Sequence, residues 1–345
     1  MNGKSLSHNP VLLSEVINAI SPESGKLYFD ATFGWGGYTK GLLDSCDCNV
    51  IAIDQDPSVG IKANEFKMKY GDRFNFIKSK FSQIPEVLGE LGISKVDGFM
   101  FDIGVSSMQL DSSDRGFSFN KEGPLDMRMS SDGLTAAELI NSIKEEELAD
   151  IIYNYGDERK SRRIAKFIID QRSLNPIETT LQLADIVSKA NPKKFNHKKH
   201  PATKTFQAIR IYLNDEFNEL FDGLAGAEKS LNVNGKVCVV TFHSTEDKIV
   251  KNYFNKSSGI DSSSYKNLPT IKNESLASLI PCKKAIKPSD NEINLNIRAR
   301  SAKLRYAKKT LTEPNNFTLE DIGFKAVSYT HLRAHETPEH LVCRL

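Results

Sequence analysis

Aspartates close three of the chain's apolar runs, and the first of them opens a glycine-rich turn. Asp30-Ala31-Thr32-Phe33-Gly34-Trp35-Gly36-Gly37 ends the run at residues 27–31, and a glycine turn at a strand end lets the backbone approach a ligand closely. Asp54 follows the run at 50–53, about 20 residues beyond Gly34, where a carboxylate can accept both hydroxyls of a ribose. The competing reading is a tight turn with Asp54 capping the next helix. The turn reads G-x-G-G, not the G-x-G-x-x-G that seats a pyrophosphate on a helix N-terminus. An acid at Asp30 repels phosphate and suits a cation, so S-adenosylmethionine, with its ribose, sulfonium and ammonium, competes with a dinucleotide for the site.

Asp102 ends a fourth run and leads into Ile103-Gly104-Val105-Ser106-Ser107-Met108-Gln109-Leu110-Asp111, at the edge where such folds gather reacting groups. A helix cap or loop ion pair is the alternative for it. His243, just after the run at 236–241, is a second candidate because histidine titrates near neutrality; against it stands a structural hydrogen bond at a helix start near Ser244. A polar loop with Arg115-Gly116-Phe117-Ser118-Phe119 and Gly123-Pro124-Leu125-Asp126-Met127-Arg128-Met129 lies between them, and long loops of this sort are often functional.

The elements that must position these residues follow from periodicity. Asn9-Pro10 caps an amphipathic helix carrying Leu12, Leu13, Val16, Ile17 and Ile20 on one face. Buried strands are expected at 27–31, 50–53, 74–77 and 98–101, separated by helices near 38–45, 58–69 and 85–91. This alternation predicts the α/β class, a doubly wound and mostly parallel sheet. From Asp111 to Pro201 only helical patterns appear, at 136–140, 148–153 and 164–169, which predicts an inserted helical domain. A long helix over 203–224 then passes through Asn234-Gly235 into a further strand at 236–241. The expected boundaries are 1–110 and 203–310 for the discontinuous sheet domain and 111–202 for the insertion. Residues 256–294 read as a loop, and 326–345 as a non-native tail that resembles translated adaptor sequence.

Composition narrows the classes. With 345 residues, 39% hydrophobic and 26% charged, the chain can bury a sizeable core and is long enough for two domains. No apolar run is long enough for a membrane span and no leader is visible, so a cytoplasmic protein without a membrane partner is expected. Five scattered cysteines argue against a disulfide framework or a metal site. Net charge is only +2, so a nucleic acid would be held by local patches. Two acid-free basic runs offer them: Lys193, Lys194, Lys198, Lys199, Lys204 and Arg210, and Arg298, Arg300, Lys303, Arg305, Lys308 and Lys309. Phe195 and Phe206 offer stacking faces, although Phe206 also fits a core position.

His8-Asn9-Pro10-Val11-Leu12-Leu13, the 30–37 turn, Ala52-Ile53-Asp54-Gln55-Asp56-Pro57, residues 104–111, 115–119 and 123–129, His200 to Arg210, Phe242 to Lys251 and Arg298 to Arg305 together resemble the bacterial 16S rRNA cytosine-N4-methyltransferase family. The match covers about residues 8–310. The resemblance implies a Rossmann-like S-adenosylmethionine-dependent methyltransferase domain with an inserted helical domain. It implies methylation of a cytidine N4 amine in the decoding region of 16S rRNA, within the 30S subunit, by a monomer or homodimer. By motif, it places cofactor contacts on Gly36, Gly37, Tyr38, Asp54, Phe81, Asp102 and Gln109. Trp35 and Tyr38 depart from the family's usual basic residue and histidine. Asp102 and His243 are the candidates for holding the amine and taking its proton, and Lys198, Lys199, Lys204, Arg210, Arg298 and Arg300 for RNA. The alternatives are a non-catalytic RNA-binding assembly factor and a nucleotide-dependent oxidoreductase.

Overall fold

The computed structural model describes residues 10–192, 200–259 and 277–324. They form two compact units, one within Met1–Gly104 and Phe217–Phe324, the other within Val105–Glu216.

The first unit is built on seven strands: β1 (Leu27–Asp30), β2 (Asn49–Asp54), β3 (Phe74–Lys78), β4 (Val96–Asp102), β5 (Leu231–Thr241), β6 (Leu279–Pro281) and β7 (Lys303–Lys309). Their order is β3-β2-β1-β4-β5-β7-β6. The strands β1 to β5 pair in parallel, and β7 runs antiparallel to both β5 and β6. Strand order reverses at β1, which makes the carboxyl ends of β1, β2 and β4 a topological switch point. This is the expected doubly wound, Rossmann-like sheet. Phe29, Phe99, Phe101, Ile51, Ile53 and Val239 are buried along it, the continuous apolar pattern that strands covered on both faces require. In register, Asp30 pairs with Ala52 and with Met100. Asp54 and Asp102 each lie two residues further on, so the pleat turns all three aspartates to the same face. Helices α1 (Leu13–Ile20), α2 (Gly37–Ser45), α3 (Gly60–Tyr70) and α4 (Ile84–Glu90) alternate with the strands.

The second unit carries α5 (Ser107–Asp111), α6 (Ala136–Ser142), α7 (Glu145–Gly156), α8 (Ser161–Arg172), α9 (Thr180–Ala190) and α10 (Thr203–Leu213). Ile140, Ile151, Ile152, Ile164, Ile168, Leu183, Val187 and Ile209 form its buried stripe. The polar loop before α6 is tightly held. Arg115 donates to the Arg128 and Met129 carbonyls at 2.8 and 2.9 Å. Asn214 brackets Met129 N–H and the Met127 carbonyl, each at 2.8 Å. Gly123 is required for space, since a Cβ there would lie 2.0 Å from the Ser113 carbonyl oxygen. The first unit resumes with α11 (Glu216–Ser230), followed by β5, α12 (Ser244–Ser257) and α13 (Asp290–Leu295).

Four expectations change. The opening helix starts at Leu13, with Leu12 left-handed at φ 56° before it, so Pro10 is not its first turn; Asn9 lies outside the described residues. The single helix expected over 203–224 is two, broken where Asp215 adopts φ 50°. Asn234-Gly235 is not a turn before a strand but an irregularity inside β5, where the register on β4 shifts between Val96 and Gly98 and Asn234 takes φ 71°. The segment 256–294 ends in β6 and α13 rather than in loop, its residues 260–276 being outside the described set, as is the 326–345 tail. Among the described residues no helix is long and apolar enough to cross a membrane.

Candidate active site

At the end of β1 the chain must leave the sheet and start α2, and Asp30 ties the two together. Its Oδ2 accepts the Thr39 hydroxyl of α2 at 2.7 Å and its Oδ1 the Thr32 N–H at 3.1 Å. It is fully buried, and burial raises its carboxyl above the usual range against those hydrogen bonds. An acid at this place in the sequence is expected to suit a cation; sealed in this way, Asp30 braces the turn instead. Thr32 extends the brace sideways, its Oγ1 accepting the Asp102 N–H of β4 at 2.7 Å. Thr32 and Thr39 were not among the expected site residues, since threonines two and nine residues past an acid have no distinctive pattern.

Asp54 grips the glycine turn. Its Oδ2 accepts the Gly34 N–H at 2.8 Å and its Oδ1 the Asp56 N–H at 2.9 Å. Burial lifts its pKa to about 6, with these two hydrogen bonds opposing the rise and Asp56 and Asp30 adding to it. The helix-capping role falls to Asp56, which accepts Ser58 N–H at 2.9 Å, and each Asp54 oxygen has acceptor capacity left. In the turn, Gly36 adopts φ 73° and a Cβ there would sit 2.4 Å from Phe66 Cζ. A Cβ on Gly37 would sit 2.0 Å from Pro10 Cγ. Tyr38 is buried and its hydroxyl donates to the Val11 carbonyl. A side-chain contact from Tyr38 to a ligand is therefore excluded by its inward rotamer, and what positions 36–38 can offer is backbone. Trp35 is 46% exposed, with the Lys62 ammonium 5.9 Å from its ring centroid. Phe81, just past β3, packs edge-on against Phe101 at 5.6 Å and is half-buried.

Asp102 is the outlier. Among the described residues its buried Oδ1 has no hydrogen-bond partner, and burial, followed by the negative charges of Asp30 and Glu246, raises its pKa to about 8. Glu246 reaches it from α12. One Glu246 oxygen accepts the Phe242 and His243 N–H groups at 2.9 and 3.2 Å. The other lies 2.7 Å from His243 Nε2, without the alignment of a hydrogen bond. His243 caps α12, its Nδ1 accepting the Glu246 N–H at 3.3 Å. A neutral imidazole has one acceptor nitrogen, and here the cap uses it, so Nε2 carries the hydrogen. His243 therefore has no lone pair for a substrate proton, and its proton-acceptor role gives way to the structural one. Glu246 was missed because the sequence does not show that the start of α12 brings its charge close enough to act on Asp102.

Gln109 lies in the second unit, where its amide oxygen accepts the Ser106 N–H at 3.0 Å in a capping box. Of the RNA candidates, Lys198 and Lys199 lie outside the described residues, as do Lys193, Lys194 and Phe195. Lys204 donates to the Asp157 carbonyl and lies 3.7 Å from its carboxylate. Arg210 forks onto Glu216 at 2.6 and 2.8 Å, and the two side chains are only 13% and 8% exposed. That buried pair replaces the predicted RNA contact. Phe206 is core, edge-on to Phe119. Arg298 and Arg300 are exposed. Lys303 and Arg305 converge on Asp247 at 2.7 and 2.6 Å. Although burial opposes it, the two cations hold the Asp247 carboxyl below its ordinary range.

Residues 5–310 match the MraW methylase family. Ribosomal RNA small subunit methyltransferase H from Rickettsia akari is 50% identical over 307 residues, covering 88% of this chain and 99% of that protein. The proteins of the same name from Rickettsia conorii and Rickettsia felis are each also 50% identical, over 305 and 308 residues, covering 88% of this chain and 98% and 99% of those proteins.

Proposed function

The chain belongs to the MraW methylase family, and from that premise we propose that it is an S-adenosylmethionine-dependent methyltransferase of small-subunit rRNA, acting on the N4 amine of a cytidine in the decoding region. The observation that carries this reading is the unpartnered, buried Asp102 oxygen at the switch point of the sheet, beside Glu246 and two strands from Asp54. Asp54 and Asp102, whose ionisation is resisted by burial and by neighbouring carboxylates, fit a cationic ligand with ribose hydroxyls better than a pyrophosphate.

S-adenosylmethionine supplies an electrophilic methyl group on a sulfonium. Asp54 would hold the ribose, with the backbone of Gly36, Gly37 and Tyr38 and the Phe81 ring as further contacts. A cytosine amine is a poor nucleophile because its lone pair is delocalised into the ring, so alignment provides most of the rate. Asp102 orients the amine through Oδ1 and takes the proton that the nitrogen loses. Positive charge bound nearby shifts Asp102 toward the carboxylate that this task needs. Thr32 fixes the Asp102 backbone, and His243 and Glu246 fix the start of α12 beside it.

The test is methyl transfer from labelled S-adenosylmethionine to small ribosomal subunits lacking the modification, read by nucleoside mass spectrometry. N4-methylcytidine is the expected product. Cofactor binding without any methylated nucleoside would favour the assembly-factor reading, and stabilisation by NAD in place of S-adenosylmethionine the oxidoreductase.

A further inference from the structure

Neighbouring helices of the second unit treat their N-termini in opposite ways. The first turn of α7 carries Glu145, Glu146 and Glu147, as the helix dipole favours. The first turn of α8 carries no acid but Arg162 and Arg163, a placement that the dipole opposes. Residues 159–167 hold Arg159, Lys160, Arg162, Arg163 and Lys166 without one acid. Ile164, Ala165 and Ile168 are buried, which turns Arg159, Arg162, Arg163 and Lys166 to the exposed side. Among the described residues none of these four pairs with a carboxylate. Of the acids just upstream, Asp157 pairs with Lys204, and Glu158 accepts the backbone N–H of Lys160, the N-cap of α8, at 3.0 Å without pairing with any of the four side chains. Aromatic surface accompanies the charge. Phe167 is 36% exposed with the Arg163 guanidinium 5.5 Å from its ring centroid, and α7 exposes Tyr153. Lys160 reaches Asn191 at 3.0 Å, and the lysine-rich stretch 193–199 begins two residues later in the chain.

We infer that this face of α8, centred on Arg162, Arg163 and Lys166 with Phe167, is a binding surface for single-stranded RNA. The cations would track the phosphate backbone and the aromatic ring would offer a stacking face, the combination that single strands favour. Because positive charge at a helix N-terminus costs stability, its retention here without an acidic partner points to an anionic ligand. This inference rests on small-subunit rRNA being the substrate, and it locates where that RNA is held outside the reacting centre.

The experiment measures binding of a fluorescent single-stranded 16S rRNA fragment to the full chain by anisotropy, over about 50–300 mM salt. Replacing Arg162, Arg163 and Lys166 together by Gln should weaken binding at least tenfold and flatten the plot of log affinity against log salt by about 2, at roughly 0.7 for each phosphate no longer neutralised. Arg162→Lys with Arg163→Lys should keep the wild-type slope. S-adenosylmethionine affinity by calorimetry should be unchanged in both variants. An unaltered slope in the Gln variant overturns the inference while leaving the substrate reading intact. A flattened slope in the Lys variant also overturns it, because the loss would then be structural. If the wild-type chain binds the RNA without salt dependence, the substrate reading and the inference fall together.

Discussion

The two units hold their charge in opposite ways. The first buries carboxyls at the carboxyl edge of its sheet, where Asp30, Asp54 and Asp102 ionise only against desolvation. The second displays guanidiniums and an ammonium on α8 against the dipole of their own helix. Where the first unit does carry a dense basic run, at 298–309, it brings Asp247 across to meet Lys303 and Arg305. Both runs are acid-free in sequence, and among the described residues a carboxylate meets the 298–309 run but not the exposed side chains of α8. The residues assigned to ligands, Asp54, Asp102 and the α8 cations, carry charge against the fold, whereas Asp30, also buried, braces the turn. Charges that serve the fold have partners: Arg210 with Glu216, Lys303 and Arg305 with Asp247.

The largest effect should come from Asp102→Asn. Losing the proton acceptor should lower kcat/KM by about 10²–10⁴-fold, yet the variant should melt higher than wild type at neutral pH, by roughly 2–5 °C. The sign follows from linkage. With the folded pKa at about 8 and the ordinary value at 3.8, the native state binds more protons between those limits, so stability falls as pH rises through that window. Asn removes that dependence. A variant that loses activity and also melts lower would place Asp102 among the partnered, structural charges.

Asp54→Ala should come next, weakening S-adenosylmethionine binding about 10–100-fold in calorimetry, since the ribose acceptors vanish and the Gly34 and Asp56 N–H groups lose theirs. Unchanged affinity would reduce Asp54 to a turn residue. In wild type the same affinity should decline as pH falls below about 6, where Asp54 gains its proton.

What was legible in the sequence was whatever the strand period alone decides. Asp30, Asp54 and Asp102 could be placed at one edge because each ends an apolar run, and parallel pairing then aligns those ends. What stayed hidden depends on partners distant in sequence or on tautomer. Nothing within residues 298–309 announces Asp247, and the Nδ1 hydrogen bond that disqualifies His243 is a matter of rotamer. Tyr38 stands where the family's motif has histidine, and only the structure shows its hydroxyl turned inward to the Val11 carbonyl. The α8 run is masked in sequence because Asp157 and Glu158 precede it, and that neither pairs with its exposed side chains is visible only in three dimensions.

Asp247→Asn tests the partnered side of the comparison. It leaves Lys303 and Arg305 facing a neutral amide, and should cost about 1–3 kcal/mol of stability in denaturant titration, with S-adenosylmethionine affinity unchanged. Because the folded Asp247 pKa is depressed, its contribution is present above the usual carboxylate pKa and is lost as pH falls through the lower folded value. The variant's deficit should accordingly shrink in acid. A constant deficit down to about pH 3 would mean that Asp247 acts through packing rather than charge.

The smallest expected change is also the one in which the two halves of the comparison meet. Arg162→Glu puts an acid into the first turn of α8, where the dipole favours it, and removes one of several neighbouring cations. It should raise the melting temperature by about 1–3 °C while reducing RNA affinity more than Arg162→Gln does. Asp102→Asn trades activity for stability at a buried sheet edge, and Arg162→Glu would make the same trade on an open surface through a different force. If the charge reversal lowers the melting temperature, Arg162 serves its helix rather than a ligand, and the likeness between the two units ends there.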